Sequence, residues 1–417
     1  MALTRRTTIA AMAGGSLAAP TAPGVASGAL RPPPRMSRTP RIHDVAVIGA
    51  GVFGAWTAWS LRKAGLKVAL VDAFGVGHAR ASSGGESRVV RLSYGGDPIY
   101  STMARDSLAA WAALSGRAGL PILHRTGVLW FSPAADDYMA KSLAWLEREH
   151  VAHRRLGASD LAASYPQIVF RAGETGFLET EAGALIAGRG VQSVVRDASL
   201  DVLRLQAEPP VREPGGAYRL GPELRAQNVV YACGPWLPAL FPQVLGGRIT
   251  PTRQEVYHFG AAPGDDRFSP ERLPVWADFN NGELVYGFPD LEGQGFKFGF
   301  DAHGPVVDPD TQSRLAAPEG VARARAYLAT RFPALANAPL IHARVCQYEN
   351  SSNGDFLIDR LPGHDRVWLV GAGSGHGFKH GPGVGRRVAA HVLDPDLTIE
   401  PRFSLATKAA VQARSIY

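Results

Sequence analysis

The sequence predicts an α/β protein of two domains, one opening with a βαβ unit of the dinucleotide-binding kind and the other built on a mixed β-sheet. Three observations carry this. The β-branched run Val45-Ala-Val-Ile48 leads straight into Gly49-Ala-Gly51-Val52-Phe53-Gly54. A stretch of helical character then runs to Ala64, Gly65 is placed to stop it, and Lys67-Val-Ala-Leu-Val-Asp72 reads as a second buried strand. Farther on, strand-like segments recur between turn residues, which suits a mixed or antiparallel sheet.

The 417 residues, 46% apolar and 19% charged, are enough for a sizeable core and too many for one small domain. Before the βαβ unit, residues 1–40 differ in composition. Arg5-Arg6 precede an Ala/Gly-rich, weakly apolar stretch to about Leu17 and then a Pro-rich spacer. That order matches a twin-arginine export signal with a small-residue cleavage region near Ala26-Ser-Gly-Ala29, and it predicts an exported, periplasmic or secreted protein. If the stretch is only a basic tail, the expectation becomes cytoplasmic. No other run is long and apolar enough to predict a membrane span.

Along the rest of the chain, Pro98–Leu114 and Tyr138–Glu149 read as helices and Gly127–Phe131 as a strand. Pro209–Arg225 reads as a turn-connected hairpin before the strand Asn228–Gly234. Further strands are expected at Glu255–Phe259, Glu283–Phe288, Gly295–Phe300 and Arg366–Val370, with a last helix from about Gly383 to Leu393.

The net charge of +7 is spread over the whole chain with no basic patch interleaved with aromatics, which argues against a nucleic-acid partner and favours small anionic ligands. Two cysteines, Cys233 and Cys346, supply neither a disulfide framework nor a thiolate metal site, so no metal is expected.

In the Rossmann-type unit each glycine has a task. Gly49 allows the strand-to-helix turn, Gly51 lets the backbone approach a pyrophosphate, and Gly54 permits close helix–strand packing. Asp72 closes the second strand 18 residues after Gly54, where a carboxylate can accept from ribose hydroxyls. An acid there disfavours a phosphorylated ribose, which leaves FAD or NAD.

The remaining blocks decide between them. Ser82-Ser-Gly-Gly-Glu-Ser87-Arg88-Val-Val-Arg91-Leu-Ser-Tyr94 is followed in order by Pro251-Thr-Arg-Gln-Glu-Val-Tyr257, Tyr286-Gly-Phe-Pro, Gly295-Phe-Lys297-Phe-Gly, Cys346-Gln-Tyr348 and Gly373-Ser-Gly375-His-Gly377-Phe378-Lys379. Over about residues 42–395 the chain resembles the monomeric sarcosine oxidase and N-methyltryptophan oxidase family of D-amino-acid-oxidase-like flavoproteins. The resemblance implies FAD, carried on a thioether to Cys346, and a discontinuous FAD domain of residues 42–125, 176–248 and 345–395 with a substrate domain of 126–175 and 249–344. It also implies roles for single residues. Arg91 and Lys379 grip a substrate carboxylate, Lys297 activates dioxygen, Tyr286 and Tyr348 line the substrate pocket, and Ser87 and Arg88 lie beside the ring system. Gly373, Gly375 and Gly377 bring backbone close to the flavin, and the helix near Gly383 points its positive end at the pyrimidine ring. Cys233, at a strand end, is read as core.

Two departures bear on specificity. Glycine stands at Gly84 and an acid at Asp301 where the family has histidines. The acid is expected to pair with Lys297, and together with the space at Gly84 to admit a larger or positively charged substrate rather than sarcosine. The implied activity is oxidation of the C–N bond of a secondary amino acid or related amine to an imine, with dioxygen reduced to hydrogen peroxide, by a chain expected to be monomeric. The rivals are a same-fold dehydrogenase passing electrons to a quinone or carrier, a nicotinamide-dependent dehydrogenase, and a non-catalytic flavin-holding protein.

Overall fold

Ile42–Ile48 runs parallel to Val68–Val71 on one side and to Arg225–Tyr231 on the other. Its central place explains its composition, because Val45, Ala46 and Val47 are buried on both faces and leave no solvent side to alternate with. The structure is a computed structural model and describes residues 42–280 and 283–410. The export signal expected over residues 1–40 lies outside them.

The first sheet continues outward from that centre. Val202–Leu203 flanks Val68–Val71, Val367–Gly371 runs parallel to Arg225–Tyr231, and Leu357–Arg360 follows antiparallel. The hairpin expected in 209–225 is formed, with Val211–Arg212 paired to Tyr218–Arg219. Between the first two strands the helix Val52–Lys63 crosses the sheet and packs on the helix Gly381–Leu393 from the far end of the chain.

The second sheet has eight strands, in the order Leu340–Ser351, Ile249–Phe259, Phe296–Phe300, Glu283–Phe288, Val275–Asn280, Val128–Pro133, Glu174–Glu179 and His153–Leu156. Only Val275–Asn280 beside Val128–Pro133 is parallel, so the sheet is mixed as the sequence predicts. A three-stranded sheet of Ser87–Val90, Gly183–Ile186 and Leu123–His124 completes the set. The α/β class with a nucleotide-binding βαβ unit is therefore observed, and the described residues belong to one compact unit. No helix among the described residues is long and apolar enough to cross a membrane.

Several boundaries differ from expectation. The last helix begins at Gly381 rather than Gly383, after a short turn of helix Phe378–His380. The strand Leu357–Arg360 pairs in the first sheet, whereas Cys346 faces Gln254 in the second. The helices Ala187–Asp197 and Pro318–Arg331 are additions, the former disguised by Gly188 and Gly190 near its start.

Candidate active site

The turn after Ile48 is built as its glycines require. Gly49 has φ +104°, and a Cβ there would stand 2.2 Å from the carbonyl oxygen of Ala232. A Cβ on Gly54 would stand 1.8 Å from the Gly49 oxygen, so the helix lies directly on the turn. Gly51 caps the helix without a side-chain acceptor, and the Val52 N–H donates to Ser83 Oγ at 2.9 Å. Asp72 accepts from the N–H groups of Ala50, Phe74 and Gly75 at 2.8 Å each. An ionised carboxylate has about four acceptor positions, so one remains for a ribose hydroxyl.

This turn opens into a cavity of about 490 Å³. Its walls include Gly49, Gly51, Val52, Phe53 and Asp72 at the strand ends. They also include Ser87, Arg88, Arg91, Tyr286, Lys297, Asp301, Cys346, Tyr348 and the segment Gly373–Lys379. The residues expected from the sequence to serve cofactor or substrate line this one cavity except Gly54, which sits behind the turn, and Gly84. Cys346 is half-buried and free. Cys233 is also a free, half-buried wall residue, and its Sγ donates to the Ile48 carbonyl at 3.6 Å. Gly375, with φ +79°, passes so close to Tyr348 that a Cβ would meet its ring at 2.7 Å.

Arg91 and Lys379 come from opposite ends of the chain and converge on Tyr94. The Arg91 guanidinium lies 4.1 Å from the centre of the Tyr94 ring and donates to Tyr138 Oη at 2.8 Å and to the Ser93 carbonyl. Lys379 Nζ donates to Tyr94 Oη and to the His376 carbonyl, both at 2.9 Å. Both cations are buried. Glu179 fixes the Arg91 segment, accepting from the Leu92 N–H at 2.7 Å and from Trp130 Nε1 at 2.8 Å. His380 Nε2 lies 2.7 Å from Tyr94 Oη. Burial, then Lys379 and Arg91, hold His380 far below the usual imidazole range, so it stays neutral. The resemblance block ended at Tyr94 without giving it a task; its ring and hydroxyl are what hold the two cations together.

Lys297 does not pair with Asp301. Its Nζ donates to the Ser87 carbonyl at 3.0 Å and to Ser87 Oγ at 3.1 Å, while Asp301 accepts from Tyr348 Oη at 3.1 Å. The two alternate onto one face, but Asp301 stands beyond the end of the strand Phe296–Phe300, and the ammonium is drawn to Ser87 in the small sheet. Burial, and then the neighbouring Arg88, push Lys297 down to about 7. Burial pushes the Tyr286 phenol up to about 12 and the Tyr348 phenol well above its usual value, so both remain neutral donors.

Nor does Gly84 leave space for a substrate. A Cβ there would lie 2.4 Å from the His78 carbonyl and 3.1 Å from Arg344 Nη2. Arg344 reaches over Gly84 and Gly85 to pair with Glu86 at 3.1 Å and to donate to the Ala79 carbonyl. The basic group beside this loop is Arg344, which lies 258 residues beyond Glu86 along the chain and shows no local sequence signal.

Glu86, His258 and His342 come together behind Lys297 with potential ligand atoms within 4.8 Å of one another. The two imidazoles stack at 3.9 Å with their planes 22° apart. Near-parallel rings at that distance do not aim both lone pairs at one ion, so the arrangement is packing.

Comparison with known proteins adds to this geometry. Residues 44–391 match the family model described as FAD dependent oxidoreductase. The chain is 28% identical over 371 residues to N-methyl-L-tryptophan oxidase of Salmonella arizonae, covering 86% of this chain and 97% of that one. It is 28% identical over 358 residues to monomeric sarcosine oxidase of a Bacillus species, covering 82% and 90%. Among solved structures, the fold is shared with an amino acid oxidase of nikkomycin biosynthesis (TM-score 0.73, 20% identity, covering 87% and 97%). It is shared also with fructosamine oxidase, Amadoriase II, of Aspergillus fumigatus (TM-score 0.74, 19% identity, covering 89% and 91%).

Proposed function

The chain belongs to the family of FAD dependent oxidoreductases, and from that membership we propose that it oxidises the C–N bond of a secondary amino acid, N-methyl or cyclic, to an imine while dioxygen is reduced to hydrogen peroxide. The observation that carries the amino-acid part is the meeting of Arg91 and Lys379 around Tyr94, in the cavity that the glycine turn opens. A guanidinium and an ammonium that both contact one tyrosine in a buried wall suit a carboxylate. The relatives named N-methyl-L-tryptophan oxidase and monomeric sarcosine oxidase support the secondary amine.

The residues that would hold FAD are the Gly49–Gly54 turn and Asp72 at one end and Ser87, Arg88 and Gly373–Phe378 at the other; the side-chain-free backbone of Gly49, Gly51, Gly373, Gly375 and Gly377 in the cavity wall fits the close approach of such a group. When bound, FAD supplies the two-electron acceptor for the C–H bond next to nitrogen. Arg91 and Lys379 orient the carboxylate, and Tyr348 and Asp301 present a hydrogen-bonded pair at the cavity wall beside them. Lys297, in the role the resemblance implies, would supply a cation that stabilises negative charge developing on dioxygen. The substrate loses two electrons and two protons in all, dioxygen takes up both and leaves as hydrogen peroxide, and the imine hydrolyses in water. A carrier-linked dehydrogenase is not favoured, since Asp301 does not neutralise Lys297, whose ammonium is held by Ser87 instead.

Mixing the yellow protein with N-methyl and cyclic amino acids without air is expected to bleach it, and air is expected to restore the colour with one peroxide per turnover. If amines lacking a carboxylate bleach it as fast as amino acids, or if no peroxide appears, the reading is wrong.

A thioether from Cys346 to the flavin belongs to the same proposal. Its support is the place of this half-buried, free thiol in the cavity wall beside Tyr348. Acid denaturation should leave the colour on the wild-type chain and release it from Cys346→Ala. Colour that washes from the wild type excludes the bond.

A further inference from the structure

Glu349 carries a carboxyl group for which the proposed reaction has no use. It stands on the strand Leu340–Ser351 three residues past Cys346, and its side chain is only 6% exposed. Its Oε1 has no hydrogen-bond partner. Among the described residues, the groups that favour its charged form are the backbone N–H groups of Ala372 and Gly373, not a lysine or arginine.

The position is specific. Gly371, the last residue of Val367–Gly371, makes room for the carboxyl, since a Cβ there would stand 2.5 Å from Oε1. Glu349 and Gly371 line the cavity together with Ile48 and Gly49, at the end of the central strand, and Cys233, just past Arg225–Tyr231. The group therefore lies at the carboxyl ends of three parallel strands, the crevice in which open α/β sheets bind dinucleotides. Burial pushes the Glu349 acid up to about 8, so near neutral pH it is protonated and offers an O–H donor. The titratable group facing it is the Cys233 thiol, which burial, then Asp72 and Glu349, hold above its usual range; Asp72, beyond that thiol, is committed to three backbone N–H groups.

We propose that Glu349 is a cofactor-holding acid, whose neutral carboxyl donates a hydrogen bond to the ribityl–diphosphate chain of FAD. An ionised group in the same place would face an anionic diphosphate across a dry wall, which gives the protonation state a function. The inference rests on FAD occupying this cavity and is independent of the substrate.

Equilibrium binding of FAD to the full-length Cys346→Ala apoprotein, followed by quenching of flavin fluorescence, tests it. With the unsubstituted Glu349, affinity should be constant up to about pH 8 and then fall by up to roughly tenfold per pH unit. Glu349→Gln, a neutral donor of the same shape, should bind within about threefold of that chain at low pH and lose the pH response. Glu349→Ala should bind roughly tenfold more weakly at low pH. A Glu349→Gln profile that follows the unsubstituted one, or a folded Glu349→Ala that binds as tightly, overturns the proposal. If Glu349→Ala does not fold, the profile of Glu349→Gln decides alone. Failure of every chain to bind FAD would overturn the cofactor assignment, and this inference with it.

Discussion

Lys379→Met or Arg91→Met lowers the affinity for the best amino-acid substrate by about 10- to 150-fold, while amines without a carboxylate lose little. The range follows from a charge-assisted contact in a partly dry pocket, about 1.5–3 kcal/mol. The structure makes the lysine variant the cleaner of the two. Removing the ammonium leaves Tyr94 Oη with its 2.7 Å contact to His380. Removing the guanidinium also takes a cation from between the rings of Tyr94 and Trp130 and a donor from Tyr138 and Ser93, so part of its effect is loss of packing. Both cations share Tyr94, so the double variant should lose less than the sum of the single losses. Dissociation constants from reduction of the flavin without air are the measurement. Unchanged affinity in both single variants would mean that the carboxylate is not the handle, and the amino-acid part of the proposed function would fail.

What the sequence shows well is what the chain builds locally. The turn from Gly49 to Gly54 and its closing Asp72 are legible because strand, turn, helix and strand follow one another, and each glycine answers a steric demand set by its neighbours. The site residues were found by resemblance, and the structure brings them to one wall. The errors have a common physical cause, which is that a list of residues cannot show what arrives from elsewhere. Gly84 reads as space until Arg344 packs over it. Lys297 and Asp301 share a face by the two-residue period, yet Ser87, from another sheet, takes the ammonium. The strand Leu340–Ser351 gives almost no apolar alternation because Gln347, Glu349 and Asn350 are buried polar residues, the first two in the cavity wall. The residues that serve a polar cavity thus erase the pattern by which a strand is recognised.

Away from the cavity, the largest stability effect is expected at Arg331, the last residue of the helix Pro318–Arg331. Its guanidinium donates to both oxygens of Glu174 and both of Asp278, at 2.5–2.9 Å, and to the Val169 carbonyl. Tyr327 Oη, one turn back on the helix, donates to Asp278 at 2.9 Å. All three charged side chains are 2% exposed, so the cluster clamps the helix to two strands of the second sheet inside a dry layer. An exposed ion pair contributes about 0–1 kcal/mol. Arg331→Met instead leaves the buried Asp278 without its cation and Glu174 with only the exposed Arg171 at 3.6 Å, which should cost about 3–5 kcal/mol, a large part of the roughly 5–15 kcal/mol that holds a domain together. Arg331→Lys restores the charge but not the planar fork, so it should recover only part of the loss. The triple change Arg331→Met, Glu174→Gln, Asp278→Asn leaves no buried charge and should be more stable than Arg331→Met alone. The single variant also carries a pH signature. Loss of the buried guanidinium removes what favours the charged carboxylates over their neutral forms, so the deficit should be largest near neutral pH and shrink as acid protonates them. Denaturant midpoints at about pH 7 and pH 5 read both effects. A deficit under about 1 kcal/mol, or one that does not change with pH, would show that these charges hold nothing together.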